Sequence, residues 1–240
     1  MSAHWQPARE VGGDFYEFIR FPDGKLCLAI ADVTDKGVPA ALMMANTRSV
    51  LRAVAGTARQ HKLISPAKLL ARVNNLLCED MPVKMFVTCL LIILDPVTGH
   101  IRYANAGHNL AFLRKADDVV EMRATGVPLG LFEGWTYEDK DLDIELGDSI
   151  LMYSDGLVEA HNTGGEMFGM GRLRRLLAYP QDGPPLHGDH LIRFLMAQLA
   201  GFTGPAWEQE DDVTLVTLER CAAGLDEPTP PAGSGRASTA

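Results

Sequence analysis

Hydrophobic positions along the chain change rhythm several times, and each change marks an element. Residues 14–21 and 25–33 are strand-like runs on either side of Pro22-Asp23-Gly24, a turn-forming trio, and together they predict a hairpin. Gly37 and Pro39 then open a helix in which Met43, Val50, Leu51 and Val54 recur at i, i+7, i+8 and i+11. Its first turns are apolar on nearly every side, which predicts deep burial, with Met43 and Met44 as core filler. A second helix begins at Ser65-Pro66, a capping residue followed by proline at the first helical position, and Leu69, Leu70, Val73, Leu76 and Leu77 form its apolar stripe.

The middle of the chain reads as consecutive strands. Residues 86–94 form a buried-type run, 95–99 a turn and 100–105 a return strand, with short strands expected at 110–114, 119–122 and 148–154. Helices are expected at 169–178 and 189–200, and a last strand at 213–218. Hairpins and helices that segregate in this way predict a layered α+β fold instead of alternating βαβ units. Pro, Gly, Ser, Thr and Ala dominate from Ala222 onward, so the domain is expected to span 1–220 and a disordered tail 221–240.

Composition narrows the function. The 240 residues are 47% hydrophobic, enough for a packed core, and 22 Lys and Arg against 31 Asp and Glu leave a net charge of -9. That is the wrong sign for gripping a phosphate backbone, so nucleic acid is not an expected partner. The longest apolar run is about half the ~20 residues of a membrane-spanning helix, and the N-terminus lacks a secretory signal pattern, so the cytoplasm is the expected compartment and no membrane partner is expected. Cys27, Cys78, Cys89 and Cys221 show no CxxC spacing and read as reduced.

Nucleotide-binding GxxxxGK[ST], zinc-binding HExxH, the GxSxG elbow and the cysteine-phosphatase pattern are all absent. What stands out is aspartate at strand ends: Asp14 after Gly12-Gly13, Asp32 before Val33, Asp155 before Gly156, and the pair Asp211-Asp212. An acid beside a buried strand must reach water or meet a cation. If these ends converge, their charge calls for hard divalent ions such as Mg²⁺ or Mn²⁺, and two such ions can activate a water against a phosphate ester. Taken one at a time, each acid also reads as a turn or cap aspartate.

Seven ordered segments carry a resemblance. They are Pro-Ala-Arg-Glu-Val-Gly-Gly-Asp-Phe-Tyr at 7–16, Ala-Asp-Val-Thr-Asp-Lys-Gly-Val-Pro-Ala-Ala-Leu at 31–42, and Tyr-Ala-Asn-Ala-Gly-His-Asn at 103–109. Gly-Val-Pro-Leu-Gly-Leu follows at 126–131, then the stretch at 147–160 containing Tyr-Ser-Asp-Gly-Leu, then Gly-Glu-Met-Phe-Gly at 165–169 and Asp-Asp-Val-Thr-Leu-Val at 211–216. The chain thus resembles the bacterial metal-dependent serine/threonine phosphatases of the PP2C-like (PPM) superfamily, in the SpoIIE and RsbU-type branch.

The resemblance implies a four-layer α-β-β-α sandwich of two antiparallel sheets flanked by helices, with two divalent cations, Mn²⁺ or Mg²⁺, at one end. Carried over by position, Asp32 bridges both ions, the backbone carbonyl of Val33 and the carboxylate of Asp14 serve one of them, and Asp155 and Asp211 serve its neighbour. Asp212 is a lesser candidate. The attacking group would be a metal-bridging water held by Asp32, Asp14 and Asp155. Eukaryotic relatives carry His two positions after the bridging acid; Thr34 stands here, so the leaving serine would take its proton from metal-bound water. Asp35 replaces a glycine common in relatives, in a turn that tolerates left-handed backbone. Arg9 could hold the substrate phosphate, or be a solvated surface arginine. His108, in what reads as a tight hairpin turn, is expected to fix backbone and not to take part in the reaction.

The implied substrate is a phosphorylated STAS-domain anti-sigma-factor antagonist in a partner-switching pathway. Only 13 residues precede Asp14, so the upstream sensor or regulatory helices carried by relatives would belong to a longer chain or a separate protein, and low basal activity is expected. Two other readings share these acids: a catalytically silent phosphoprotein-binding module, and a small-molecule phosphatase.

Overall fold

A computed structural model of the chain describes residues 1–58, 65–82, 84–116, 118–178, 186–205 and 207–221. Ten strands pair into two antiparallel five-stranded sheets. The first is ordered β1 (Ser2–Gln6), β10 (Val213–Glu219), β9 (Ser149–Tyr153), β6 (Phe112–Arg114), β7 (Val119–Glu121). The second is ordered β2 (Phe15–Arg20), β3 (Leu26–Val33), β4 (Val87–Leu94), β5 (His100–Ala106), β8 (Lys140–Asp143). The sheets face each other through Leu28, Ile30, Leu90 and Ile92 on one side and Ile150, Met152, Val216 and Leu218 on the other. Helices α1 (Val38–Ala58) and α2 (Pro66–Asp80) cover the outer face of the second sheet. A single turn, α3 (Asp155–Val158), then α4 (Met170–Ala178) and α5 (Gly188–Thr203), cover the first. This is the expected four-layer sandwich. It explains why β4 is buried along nearly its whole length: an antiparallel strand covered on both faces loses its period-two alternation.

The α2 start is as expected, with Lys68 N–H donating to Ser65 Oγ at 3.1 Å. Several expectations are corrected. Val38 and Leu42 are 65% and 67% exposed, so the first turns of α1 are not deeply buried. The buried stripe runs Ala40, Met43, Thr47, Leu51, with Met44 and Val50 packed half-buried against the same core, while Val38 and Leu42 point to water. On α2, Leu76 is exposed and Asn74 is buried in its place. Asn74 Nδ2 donates to the Phe132 carbonyl at 2.8 Å and its Oδ1 accepts from Gly130 N–H at 2.9 Å, so a polar side chain ties the 130–132 loop to the helix. The segment around His108 is no hairpin turn: β5 and β6 lie in different sheets, and 107–111 crosses between them.

Two edge strands went unread in the sequence. β1 is short and half exposed. β8 is Lys-Asp-Leu-Asp, held to β5 by His100 Nε2 and Arg102 Nε on Asp141, at 2.9 and 2.8 Å. Charges of this kind keep an edge strand from pairing further. Among the described residues no helix is long and apolar enough to cross a membrane. All four cysteines are free, Cys27 and Cys89 buried and Cys221 exposed. The tail expected from 221 lies, apart from Cys221, outside the described residues.

Candidate metal and phosphate site

Four acids meet at one end of the sandwich because four strands end there. Asp14 immediately precedes β2 and Asp32 is the penultimate residue of β3, adjacent strands of the second sheet. Asp155 follows β9, and Asp211-Asp212 leads into β10, adjacent strands of the first. The two sheets therefore each contribute one wall of a cleft lined by Asp32, Asp211, Asp212, Arg9 and Lys36.

The ends of β9 and β10 are tied together by side chains. Ser154 Oγ donates to the Asp212 carbonyl at 3.1 Å and accepts from Thr214 N–H at 2.9 Å. Gly156 lets these segments meet: a Cβ there would stand 2.1 Å from the Asp212 carbonyl oxygen. Asp212 then spans the sheets, accepting from Ala8 N–H at 2.8 Å and Asp14 N–H at 3.2 Å. Both of its oxygens thus hold backbone donors. Asp212 is a clamp for the N-terminal segment.

Electrostatics show how little compensates the remaining acids. Burial, then Asp155 and Asp211 opposite, push the Asp32 carboxyl up to about 7. Burial and then Asp211 push Asp155 up to about 6. Asp14, 2% exposed, is raised well above the usual range by burial and then by Asp32, although Thr214 Oγ1 donates to its Oδ2 at 2.5 Å. The cation inside the cluster is Lys36, whose Nζ lies 2.9 Å from Asp211 Oδ2 and also donates to the Glu210 carbonyl. Asp35 and Gly37 flank it, both with φ of +76°, so two left-handed residues aim the lysine at the acids. Asp35 adopts the backbone expected of it. The lysine went unnoticed in the sequence, although it stands in the segment at 31–42 between two turn-formers.

Oxygen-only donors with unbalanced negative charge suit a hard divalent cation. Asp14, Asp32, Asp155 and Asp211 are the side chains that could hold one, and the Val33 carbonyl is left open by Gly13, where a Cβ would stand 2.9 Å from that oxygen. As they stand, no three His, Cys, Asp or Glu side chains among the described residues are arranged to hold an ion. Thr214, Lys36 and backbone N–H groups take up several of the oxygens, so ligation requires rotamer changes.

Thr34 is used structurally: its Oγ1 donates to the Phe86 carbonyl at 3.0 Å and accepts from Phe86 N–H at 2.9 Å. Arg9 is exposed at the cleft rim. His108 is buried, its Nδ1 2.8 Å from Thr88 Oγ1 and its N–H donating to Asn105 Oδ1 at 2.7 Å. Burial pulls its pKa down to about 4, so it is a neutral brace behind the strand carrying Asp32.

The family model described as Stage II sporulation protein E (SpoIIE) matches residues 22–221. That range includes Asp32, Asp155 and Asp211 and leaves Asp14 and Arg9 outside. Phosphoserine phosphatase RsbU of Bacillus subtilis (strain 168) is 30% identical over 161 residues, covering 66% of this chain and 46% of that protein. Protein IcfG of Synechocystis sp. is 28% identical over 243 residues, covering 92% of this chain and 38% of that one. The chain thus spans less than half the length of these curated relatives. Among solved structures, the RsbU and RsbW domains of Rv1364c from Mycobacterium tuberculosis superpose with a TM-score of 0.77 at 28% identity, covering 95% of this chain and 60% of that one.

Proposed function

Because the chain belongs to the SpoIIE family, a group of PP2C-like proteins, we propose that it is a metal-dependent protein serine/threonine phosphatase. The observation that carries this reading is the meeting of Asp14, Asp32, Asp155 and Asp211 from two sheets at one end of the sandwich, with the carboxyls of Asp14, Asp32 and Asp155 raised by burial and then by neighbouring acids. Asp32 would face both of two Mg²⁺ or Mn²⁺ ions, Asp14 and the Val33 carbonyl one of them, and Asp155 and Asp211 the other. Bound there, the ions would lower the pKa of a shared water and offset charge on the phosphoryl oxygens.

The chain's own residues do the rest. Arg9 at the rim is the group we assign to the substrate phosphate, as a two-pronged donor to its oxygens. Position 34 supplies no side-chain acid, since both hydrogen-bonding functions of the Thr34 hydroxyl are taken by Phe86. The leaving serine is therefore protonated from solvent in the cleft. We assign the substrate to a phosphorylated STAS-domain anti-sigma-factor antagonist, and the regulatory input to segments or partners outside the described residues. Support for both is family membership.

The test is phosphate release from a phosphoserine STAS protein beside p-nitrophenyl phosphate, with Mn²⁺ and with EDTA. We expect Mn²⁺-dependent turnover of the phosphoprotein that Asp155→Asn reduces to background while circular dichroism stays native. Turnover of the small ester alone would favour a small-molecule phosphatase. Binding of the phosphoprotein without turnover would favour a silent binding module. Wild-type activity in Asp155→Asn would remove the site assignment.

A further inference from the structure

Lys36 stands in the acidic cleft where a cation is called for, and it is held less firmly than its partner Asp211. The 209–212 segment is fixed from several directions: Gln209 Nε2 donates to the Gln6 and Asp211 carbonyls, both at 2.8 Å, and Glu210 Oε2 lies 2.8 Å from His161 Nδ1. Asp211 Oδ1 accepts from Asp212 N–H at 2.9 Å. Its other oxygen, Oδ2, is the one that Lys36 holds. Lys36 is the movable member, a four-carbon stem on a loop residue with its side chain 38% exposed.

We propose that Lys36 is a tethered counter-ion that competes with the divalent cation at Asp211: it neutralises Asp211 in the metal-free protein and is displaced when the ion binds. This inference rests on the metal reading of the site and adds a residue that reading does not use. An ammonium and a divalent ion cannot both hold Oδ2 at contact distance without strong repulsion, so the ion must break the pair. The pair is half-exposed and therefore weak, which is what a displaceable counter-ion requires. The lysine lets the acids stay together before the metal arrives, at the expense of affinity once it does.

The experiment is Mn²⁺ titration of the full chain by calorimetry, with amine acetylation at Lys36 mapped by mass spectrometry. Lys36→Met should tighten one Mn²⁺ site about threefold or more, the scale of a weak exposed ion pair. Lys36→Arg, which can keep the pair, should stay near wild type. Arg9→Met removes a charge from the same rim without touching Asp211, and should change the affinity less than Lys36→Met does. Acetylation of wild-type Lys36 should speed up when Mn²⁺ is added. Equal affinity in Lys36→Met and wild type, an equal gain in Arg9→Met, or unchanged acetylation would overturn the competition while leaving the metal site intact. Absence of Mn²⁺ binding in every variant would remove the metal reading, and this inference with it.

Discussion

Asp32 sits where its negative charge is least welcome, and that has a measurable sign. Its folded pKa of about 7 stands above the ordinary 3.8, so the folded protein binds the proton more tightly than the unfolded chain. Its contribution to stability is full at low pH and lost as pH rises through about 7. His108 works in the opposite direction: its pKa of about 4 lies below the ordinary 6.5, so its contribution is present above 6.5 and lost as pH falls toward 4. Between pH 8 and 6.5 the carboxylates act almost alone. In EDTA, lowering the pH over that window should raise stability by about 1 kcal/mol, or about 2–4 °C in Tm. Asp32→Asn should be more stable than wild type at pH 8 and should flatten the profile. A wild-type Tm that falls over the same window would show that the Asp32 carboxyl is not held above its ordinary range by burial and its acidic neighbours.

Elements reveal what the sequence could and could not say. The β2–β3 hairpin and the α2 N-terminus were legible because each rests on local chemistry, a turn trio or a cap. The first turns of α1 were not, since apolar residues on both sides of a helix leave its buried face undecided until a sheet chooses one. Asn74 replaced Leu76 on the buried face for a similar reason: its partners lie near residue 130, too far along the chain to be read locally. Four site acids were visible as strand-end aspartates, whereas their meeting depends on which strands pair, and only the family resemblance supplied that. The orientation of α1 rests on Glu17 of β2, 5% exposed, which meets Arg48 Nε and Arg52 Nη1, each at 2.8 Å. Glu17→Ala should lower stability by about 2 kcal/mol, seen as a Tm drop of about 4–8 °C. Arg48→Ala should cost about 1 kcal/mol or less, because an exposed guanidinium returns to water and Arg52 keeps the carboxylate paired.

On the scale of the whole molecule, the acids belong to two sheets with no disulfide among the described cysteines. Ions held by Asp32 on one sheet and Asp155 on the other would tie the layers together, since whatever binds only the folded state stabilises it. Mn²⁺ at about a hundred times its dissociation constant should add about 2.7 kcal/mol, or about 5–10 °C in Tm. Asp32→Asn and Asp155→Asn should each lose most of that increment. An increment that survives both would place the binding elsewhere.

The clamp between Asp14 and Asp212 joins residues 198 positions apart, and β10, the last of the described strands, lies between β1 and β9 in its sheet. A nascent chain therefore cannot assemble the acidic cleft until β10 has left the ribosome and slotted into a gap between two earlier strands. Synthesis halted before Asp211 would leave an incomplete first sheet and no second wall, so competence arrives all at once and late.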